Sequence, residues 1–156
     1  MSVKAYRITK GKHSGTAFDG EGAKKYGGRW NSVGTAMVYT ASHLSLAIVE
    51  ILAHLKSEKV IREKYVYFEL DFDEKLIKTP SGSSIPTNWK GDPAPSSTQY
   101  FGDEWIASSE SPVLKVPSVI VDIEFNYLLN PLHPSYREIK ISSAKKFKLD
   151  SRLLPW

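Results

Sequence analysis

The feature that most constrains the fold is the strict alternation of residues 65–72, YVYFELDF. The apolar side chains on one face are Val66, Phe68, Leu70 and Phe72, and the opposite face carries Tyr65, Tyr67, Glu69 and Asp71. Because successive side chains of a β-strand point to opposite faces, this pattern predicts a half-buried strand. A chain built around such a strand is expected to form a sheet.

Further strands are predicted along the chain. They are KAYRI (4–8), TAMVYT (35–40), PSVIVDIEF (117–125), YREIKIS (136–142) and KFKL (146–149). In residues 117–125 the inward positions would be Val119, Val121, Ile123 and Phe125. Ser118 would then share the outer face with Asp122 and Glu124, outside the core. The residues that follow, NYLLNPLHP (126–134), read as a turn.

Helices are fewer. Residues 42–56 place Leu44, Ile48, Ile51 and Leu55 at helical spacing, and GDEWIASSE (102–110) is predicted to be a short helix capped by Asp103. Residues 79–98 are rich in proline, glycine and serine and predict a long surface loop. Because strands outnumber helices and are joined by short links, the sequence predicts one α+β domain over residues 1–156, with mostly antiparallel sheets.

Composition excludes several kinds of chemistry. The chain has no cysteine, which removes disulfides and thiolate sites, and its 4 histidines, His13, His43, His54 and His133, lack a metal-ligand spacing. A metal-free, soluble, cytoplasmic protein without a membrane association is therefore expected. Neither a G-x-G-x-x-G nor a P-loop pattern is present. The net charge of +4 arises from 21 basic residues interleaved with 17 acidic ones, which makes direct nucleic-acid binding an unfavoured interpretation.

Residues 27–52, GGRWNSVGTAMVYTASHLSLAIVEIL, hold the candidates for a functional site. Arg29 follows two glycines that allow a ligand to approach the backbone, and a guanidinium there suits a phosphate or a carboxylate. Tyr39 ends a predicted strand. Glu50 lies on the predicted helix, where a pair with His54 is the simplest alternative to a catalytic role.

Taken together, GEGAKKYGGRWNSVGTAMVYTASHLSLAIVEILAHL and the later GDEWIASSESPVLKVPSVIVDIEFNYLLNPLHP resemble the RES-domain family, which is named for an arginine, a glutamate and a serine. The three residues map to Arg29 in GGRWN, Glu50 in SLAIVEIL and Ser118 in KVPSVIVDIEF. Tyr39 in VYTAS matches the family's tyrosine between the arginine and the glutamate. The resemblance extends from about Tyr6 to about His133.

The resemblance implies a fold similar to ADP-ribosyltransferases and the activity of a bacterial toxin that cleaves NAD at the nicotinamide–ribose bond. NAD would be a substrate rather than a cofactor, and the implied partner is an antitoxin of the Xre type. Glu50 would stabilise the positive charge on the ribose, Tyr39 would stack on nicotinamide, and Arg29 would hold pyrophosphate or ribose oxygens. Ser118 would bond the substrate or orient Glu50 or Arg29. The acceptor, whether water, phosphate or a protein side chain, stays open.

An alternative of another class is an RNA-binding or RNA-cleaving toxin. Its support is the tyrosine-rich stretch YVYF (65–68) and the C-terminal lysines near Phe147. No pair of histidines stands out as a general acid and base for RNA cleavage. The C-terminal SRLLPW (151–156) could dock on its own domain, form a homodimer contact or meet the antitoxin.

Overall fold

The computed structural model describes residues 1–54 and 63–153. Leu55, which the helical pattern included, and Leu154 and Trp156 of the C-terminal hexapeptide lie outside the described residues.

The described strands form one curled sheet. They are β1 (Ser2–Lys10), β2 (Val38–Ala41), β3 (Tyr65–Asp73), β4 (Ile77–Lys78), β5 (Val113–Pro117), β6 (Phe125–Leu129), β7 (Lys140–Ile141) and β8 (Lys145–Phe147). Their order is β4-β5-β6-β2-β1-β3-β7, and β8 also pairs with β3. Only β4 and β5 among these neighbours run parallel. The predicted fold class, α+β with a mostly antiparallel sheet, is confirmed.

The strand predicted from alternation, β3, has 9 residues and is as long as its neighbour β1. β3 pairs antiparallel with the whole of β1, from Ser2 opposite Asp73 to Lys10 opposite Tyr65. Phe68, Leu70 and Phe72 of β3 are buried, as their positions in the pattern required. They join the main apolar core of the sheet together with Val38 and Leu129.

Three α-helices accompany the sheet in the described residues: α1 (Glu21–Tyr26), α2 (Leu44–His54) and α3 (Ser96–Ser108). α2 buries Leu46 and Ala47 against Ala41 of β2, which fixes the helix beside the centre of the sheet. α3 buries Trp105 in a second cluster with Trp30 and Met37. No described helix has both the length and the apolar character to cross a membrane.

The strand predicted for residues 117–125 is wrong. β5 ends at Pro117, residues 118–124 form a bent connection, and β6 occupies residues that were predicted to be a turn. Ile123, predicted to point inward, is 83% exposed, whereas Ser118, predicted outside the core, is fully buried. The physical reason is local: the Ser118 hydroxyl accepts hydrogen bonds from the backbone of Ile120 and Val121, which diverts the chain from extended pairing.

The second helix also differs from its prediction. α3 begins at Ser96, inside the predicted loop, and Asp103 lies in mid-helix rather than at a cap. Its carboxylate instead accepts hydrogen bonds from the backbone and hydroxyl of Ser32. Gly102 allows α3 to lie directly on the backbone of Trp30. These long-range contacts tie the helix to the turn that carries Arg29 and could not be read from local spacing.

Candidate active site

A cavity of about 1000 Å³ lies beside β1, β2 and α2. This is the upper end of the size range of small-molecule sites. Arg29, Tyr39 and Glu50 all line it, so the fold brings together three of the four residues singled out in the sequence. Ser118 does not line the cavity and lies behind Glu50.

Glu50 projects from α2 and is held at both carboxylate oxygens. The Ser118 hydroxyl donates to Oε2 at 3.0 Å, and the Asn126 amide donates to Oε1 at 2.9 Å. Burial raises the pKa of Glu50 most strongly, the two hydrogen bonds lower it, and the charge of Glu124 raises it. The Glu50 carboxylate thus bonds Ser118 and Asn126 rather than His54, the partner that helical spacing suggested. The result is a half-buried carboxylate of fixed orientation in the cavity wall.

Ser118 connects this carboxylate to the loop after β5. Its hydroxyl oxygen accepts from the backbone N–H groups of Ile120 and Val121 at 3.2 Å each, and its own hydrogen is donated to Glu50. The hydroxyl is therefore committed to protein partners. The resemblance implied several roles for Ser118, and this geometry supports one of them, the orientation of Glu50.

Replacing Ser118 by alanine is expected to raise the pKa of Glu50 further, because a donor to the charged form is lost. A smaller fraction of Glu50 would then be ionised at acidic pH, so a reaction that needs the charged carboxylate should have the acid limb of its pH–rate profile moved to higher pH. The variant also leaves the N–H groups of Ile120 and Val121 without their acceptor, so the free energy of unfolding should fall by about 1–3 kcal/mol. The measurement is the pH dependence of the rate, with Ser45→Ala on the exposed side of α2 as control. An unchanged acid limb would show that Ser118 does not tune Glu50.

Tyr39 is anchored at its hydroxyl to the turn that contains Arg29. The hydroxyl donates to Asn31 Oδ1 at 2.6 Å and accepts from the backbone of Trp30 at 3.0 Å. Burial raises the pKa of Tyr39, so the phenol stays neutral. A Cβ on Gly28 would lie 2.6 Å from this hydroxyl, which explains a glycine here. The tyrosine ring is thereby fixed in the cavity wall.

Replacing Tyr39 by phenylalanine keeps the ring but leaves the Asn31 oxygen and the Trp30 N–H without their partner. Because unsatisfied buried polar groups are costly, unfolding free energy is expected to fall by about 1–3 kcal/mol. Thermal and denaturant melting measure the loss. Tyr26→Phe is the control, since Tyr26 is 75% exposed and should tolerate the change. A melting temperature equal to that of the wild type would contradict the anchoring role.

Arg29 faces the cavity but is held by the loop that precedes α3. Its Nη1 donates to the carbonyl oxygens of Trp89 at 2.8 Å and Gly91 at 2.7 Å. Residues 92–94 of the same loop line the cavity, so the loop predicted to be a surface element forms part of the site.

Two side chains of the site were missed by sequence reasoning. Asn126 was assigned to a turn, yet it holds Glu50 and also donates to the carbonyl of Thr40 at 3.2 Å. Arg7 lines the cavity from β1. Its position within KAYRI was visible, but nothing in the local pattern distinguishes it from an arginine on a solvated strand face.

The surface proposed for RNA stacking has a mixed charge. Lys4 lies 3.2 Å from Glu69 and 2.7 Å from Asp71, and Lys145 lies 3.9 Å from Glu69. Tyr65, at the start of the tyrosine-rich stretch, is buried. Carboxylates beside the lysines oppose phosphate binding, so this surface does not favour the RNA alternative.

The sequence of this chain is similar to those of known proteins. The sequence model of the RES domain matches residues 4–150. The "Toxin Res" of Yersinia enterocolitica serotype O:8 is 39% identical over 150 residues, covering 95% of this chain and 97% of that protein. The "Prs ADP-ribosylating toxin" of Sphingobium sp. strain YBL2 is 35% identical over 159 residues, covering 99% and 98%.

Among solved structures, a chain from the crystal structure of the M. tuberculosis MbcT-MbcA toxin-antitoxin complex has a similar fold. The TM-score is 0.75 at 18% sequence identity, with 95% of this chain and 85% of that chain covered. At this identity the likeness concerns the fold alone.

Proposed function

The chain belongs to the RES domain family, and from that premise we propose that it is the toxin of a bacterial toxin–antitoxin pair and cleaves NAD at the nicotinamide–ribose bond. The observation that carries the proposal is Glu50. It is a half-buried carboxylate, oriented through both oxygens, in the wall of a cavity large enough for a dinucleotide. The names of the relatives in Yersinia and Sphingobium support the toxin class.

The chemistry needs few groups. When the bond between ribose C1′ and the pyridinium nitrogen breaks, its electron pair stays on nicotinamide, which leaves as a neutral molecule, and positive charge develops on the ribose. A fixed carboxylate beside the ribose stabilises that charge more than it stabilises the ground state. Glu50 would supply this carboxylate, and the Tyr39 ring would supply a stacking surface for the pyridine. No metal ion or resident cofactor is required for this step.

The ribose cation must then be captured. Water would add its oxygen to C1′ and lose a proton, which gives ADP-ribose, whereas phosphate would give the corresponding phosphorylated product. Transfer to a protein side chain is the alternative, and it is favoured by the relative named as an ADP-ribosylating toxin. An RNA-directed toxin has no comparable support from the site.

Product analysis tests the proposal directly. The purified protein is incubated with NAD in buffers with and without phosphate, and with a bacterial lysate, and products are identified by mass spectrometry. We expect free nicotinamide in every case, and the second product identifies the acceptor. Absence of nicotinamide release under all three conditions would refute NAD cleavage.

A toxin that consumes NAD requires a neutralising partner in its own cell. The solved structure of similar fold comes from a toxin–antitoxin complex. We therefore propose that an antitoxin, of the Xre type implied by the resemblance, binds this chain and closes the mouth of the cavity. Coexpression with the neighbouring gene product should restore the NAD level, and a complex of the two proteins should be recovered by size-exclusion chromatography.

A further inference from the structure

Glu124 stands at the junction of the two segments that hold the Glu50 carboxylate. Its backbone carbonyl accepts from the N–H of Ser118 at 2.9 Å, so it fixes one end of the loop whose hydroxyl bonds Glu50. Asn126, the other donor to Glu50, lies two residues further along the chain. A displacement of Glu124 would therefore move both hydrogen-bond donors of that carboxylate.

His43 has the matching position at the start of the helix that carries Glu50. It is the residue before α2, and its carbonyl accepts from the N–H of Ala47 at 3.1 Å. Its imidazole Nδ1 lies 3.1 Å from Oε1 of Glu124. Because an ionised carboxylate carries a negative charge, the two side chains form an ion pair when the imidazole is protonated.

The pairing of β2 with β6 brings these two side chains together. The antiparallel register places Ala41 opposite Asn126, and one residue further on the N–H of Ser42 donates to the carbonyl of Phe125 at 2.9 Å. The imidazole and the carboxylate belong to the next pair in this register, where opposite charges attract each other. The Ser42 hydroxyl lies 3.1 Å from the same imidazole nitrogen and is its second polar neighbour.

The ion pair is too exposed to contribute much to fold stability. The side chains of His43 and Glu124 are 64% and 34% exposed, and water screens such charges. Its consequences for Glu50 are more specific. Burial is the main cause that raises the pKa of Glu50, and the negative charge of Glu124 raises that pKa further. A protonated imidazole beside Glu124 opposes this second effect.

We propose that His43 and Glu124 are positioning residues of the candidate active site, which together keep the Ser118 hydroxyl on Glu50 and balance the charge beside it. Neither residue lines the cavity, so both would act through the Glu50 carboxylate rather than through a contact with substrate. Their effect on catalysis rests on the proposed function. Their effect on the ionisation of Glu50 does not, because it can be measured without NAD.

The elements around Glu50 also hold other charged or titratable side chains. These are Tyr6, Arg7, Tyr39 and His54 in the cavity wall and Lys115 on β5, over the ring of Phe125. They stay unchanged in every variant of the pair. A change in the titration of Glu50 between these variants is therefore assigned to the pair itself.

The experiment follows the carboxyl carbon of Glu50 by NMR during a pH titration without substrate. The variants are His43→Gln, Glu124→Gln and the two combined, and loss of the signal in Glu50→Gln identifies it. Asp122→Asn is the matched control. It removes one negative charge from the same loop, but Asp122 pairs with Lys90 at 2.7 Å rather than with His43. Thermal melting confirms that each variant is folded.

We expect the two single variants to shift the titration of Glu50 in opposite directions. His43→Gln leaves the Glu124 charge uncompensated and should raise the pKa of Glu50, whereas Glu124→Gln removes that charge and should lower it. The double variant should titrate between the two, and Asp122→Asn should titrate as the wild type does. Variants that only loosened the loop would both raise the pKa of Glu50, because both would weaken the bond from Ser118.

The rate of NAD cleavage gives a second readout. At acidic pH, where the imidazole is protonated, His43→Gln should reduce kcat by about 2–5-fold, the change that corresponds to the loss of an exposed ion pair. The KM for NAD should not change, because neither residue contacts substrate. His43→Lys keeps a positive charge opposite Glu124 and should restore both kcat and the titration of Glu50. It also serves if His43→Gln does not fold.

An unchanged titration of Glu50 in His43→Gln would overturn the positioning role, and so would shifts of both single variants in the same direction. If the shifts are opposite but the protein releases no nicotinamide from NAD, the pair positions Glu50 and the proposed activity is refuted. Nicotinamide release together with a Glu50 titration that does not respond to the pair would retain the activity and refute the positioning role.

Discussion

Replacing Glu50 by glutamine should reduce NAD cleavage by about 10²–10³-fold, the loss typical when one group opposite the developing charge is removed. Glutamine keeps the size of the side chain, and its amide oxygen can still accept from Asn126, but it carries no negative charge. The measurements are nicotinamide release by the purified variant and the NAD level of cells that express it. Glu21→Gln is the matched control, because Glu21 also lines the cavity but is exposed.

The same variant should remain folded. Because burial raises the pKa of Glu50 in the folded state, its ionisation opposes folding, and the stability it contributes at acidic pH is lost as pH rises through the folded pKa. Glutamine does not ionise, so the Glu50→Gln protein does not lose this stability as pH rises. Its melting temperature at neutral pH should therefore lie no more than a few degrees below that of the wild type. Retained turnover in a folded Glu50→Gln protein would remove Glu50 from the chemistry.

Replacing Gly102 by alanine should have the largest effect on stability. A Cβ there would lie 1.7 Å from the carbonyl oxygen of Trp30 and 3.2 Å from the side chain of Met37. Alanine favours a helix by roughly 1 kcal/mol over glycine, but the backbone of Trp30 would have to move away. Overpacking of this kind costs about 3 kcal/mol at the upper end of its usual range, which lowers the melting temperature by roughly 6–12 °C.

A displacement of Trp30 would also reach the site. Arg29 is the residue before Trp30, and the backbone N–H of Trp30 donates to the hydroxyl of Tyr39. NAD cleavage should therefore fall together with stability. Gly22→Ala is the control: it lies in α1, and nothing lies within 4 Å of its added Cβ. That variant should be as stable as the wild type or slightly more so. If the Gly102→Ala protein had the same melting temperature as the wild type, α3 could shift away from Trp30 without a loss of stability.

The sequence predicted the elements whose signal is contained in a few neighbouring residues. The alternation around Phe68 and Leu70 identified β3, and the helical spacing around Ile48 identified α2, because burial of one face leaves a period in the chain. The same reasoning failed at residues 117–125, where alternation was present without a strand. A single hydroxyl, that of Ser118, redirects the backbone there, and no periodic pattern records such a hydrogen bond.

For the site, the order of the motifs identified the family and named Arg29, Tyr39, Glu50 and Ser118 before any contact was known. Only the tertiary structure decided how they act. It placed Ser118 behind Glu50 rather than in the cavity, added Asn126 as the second donor to that carboxylate, and attached Arg29 to the loop that precedes α3. Glu50 and Asn126 are 76 residues apart, and Arg29 and Gly91 are 62 apart. Local spacing carries no trace of such pairs, because their partners become neighbours only when β2, β6 and the loop before α3 pack around one cavity.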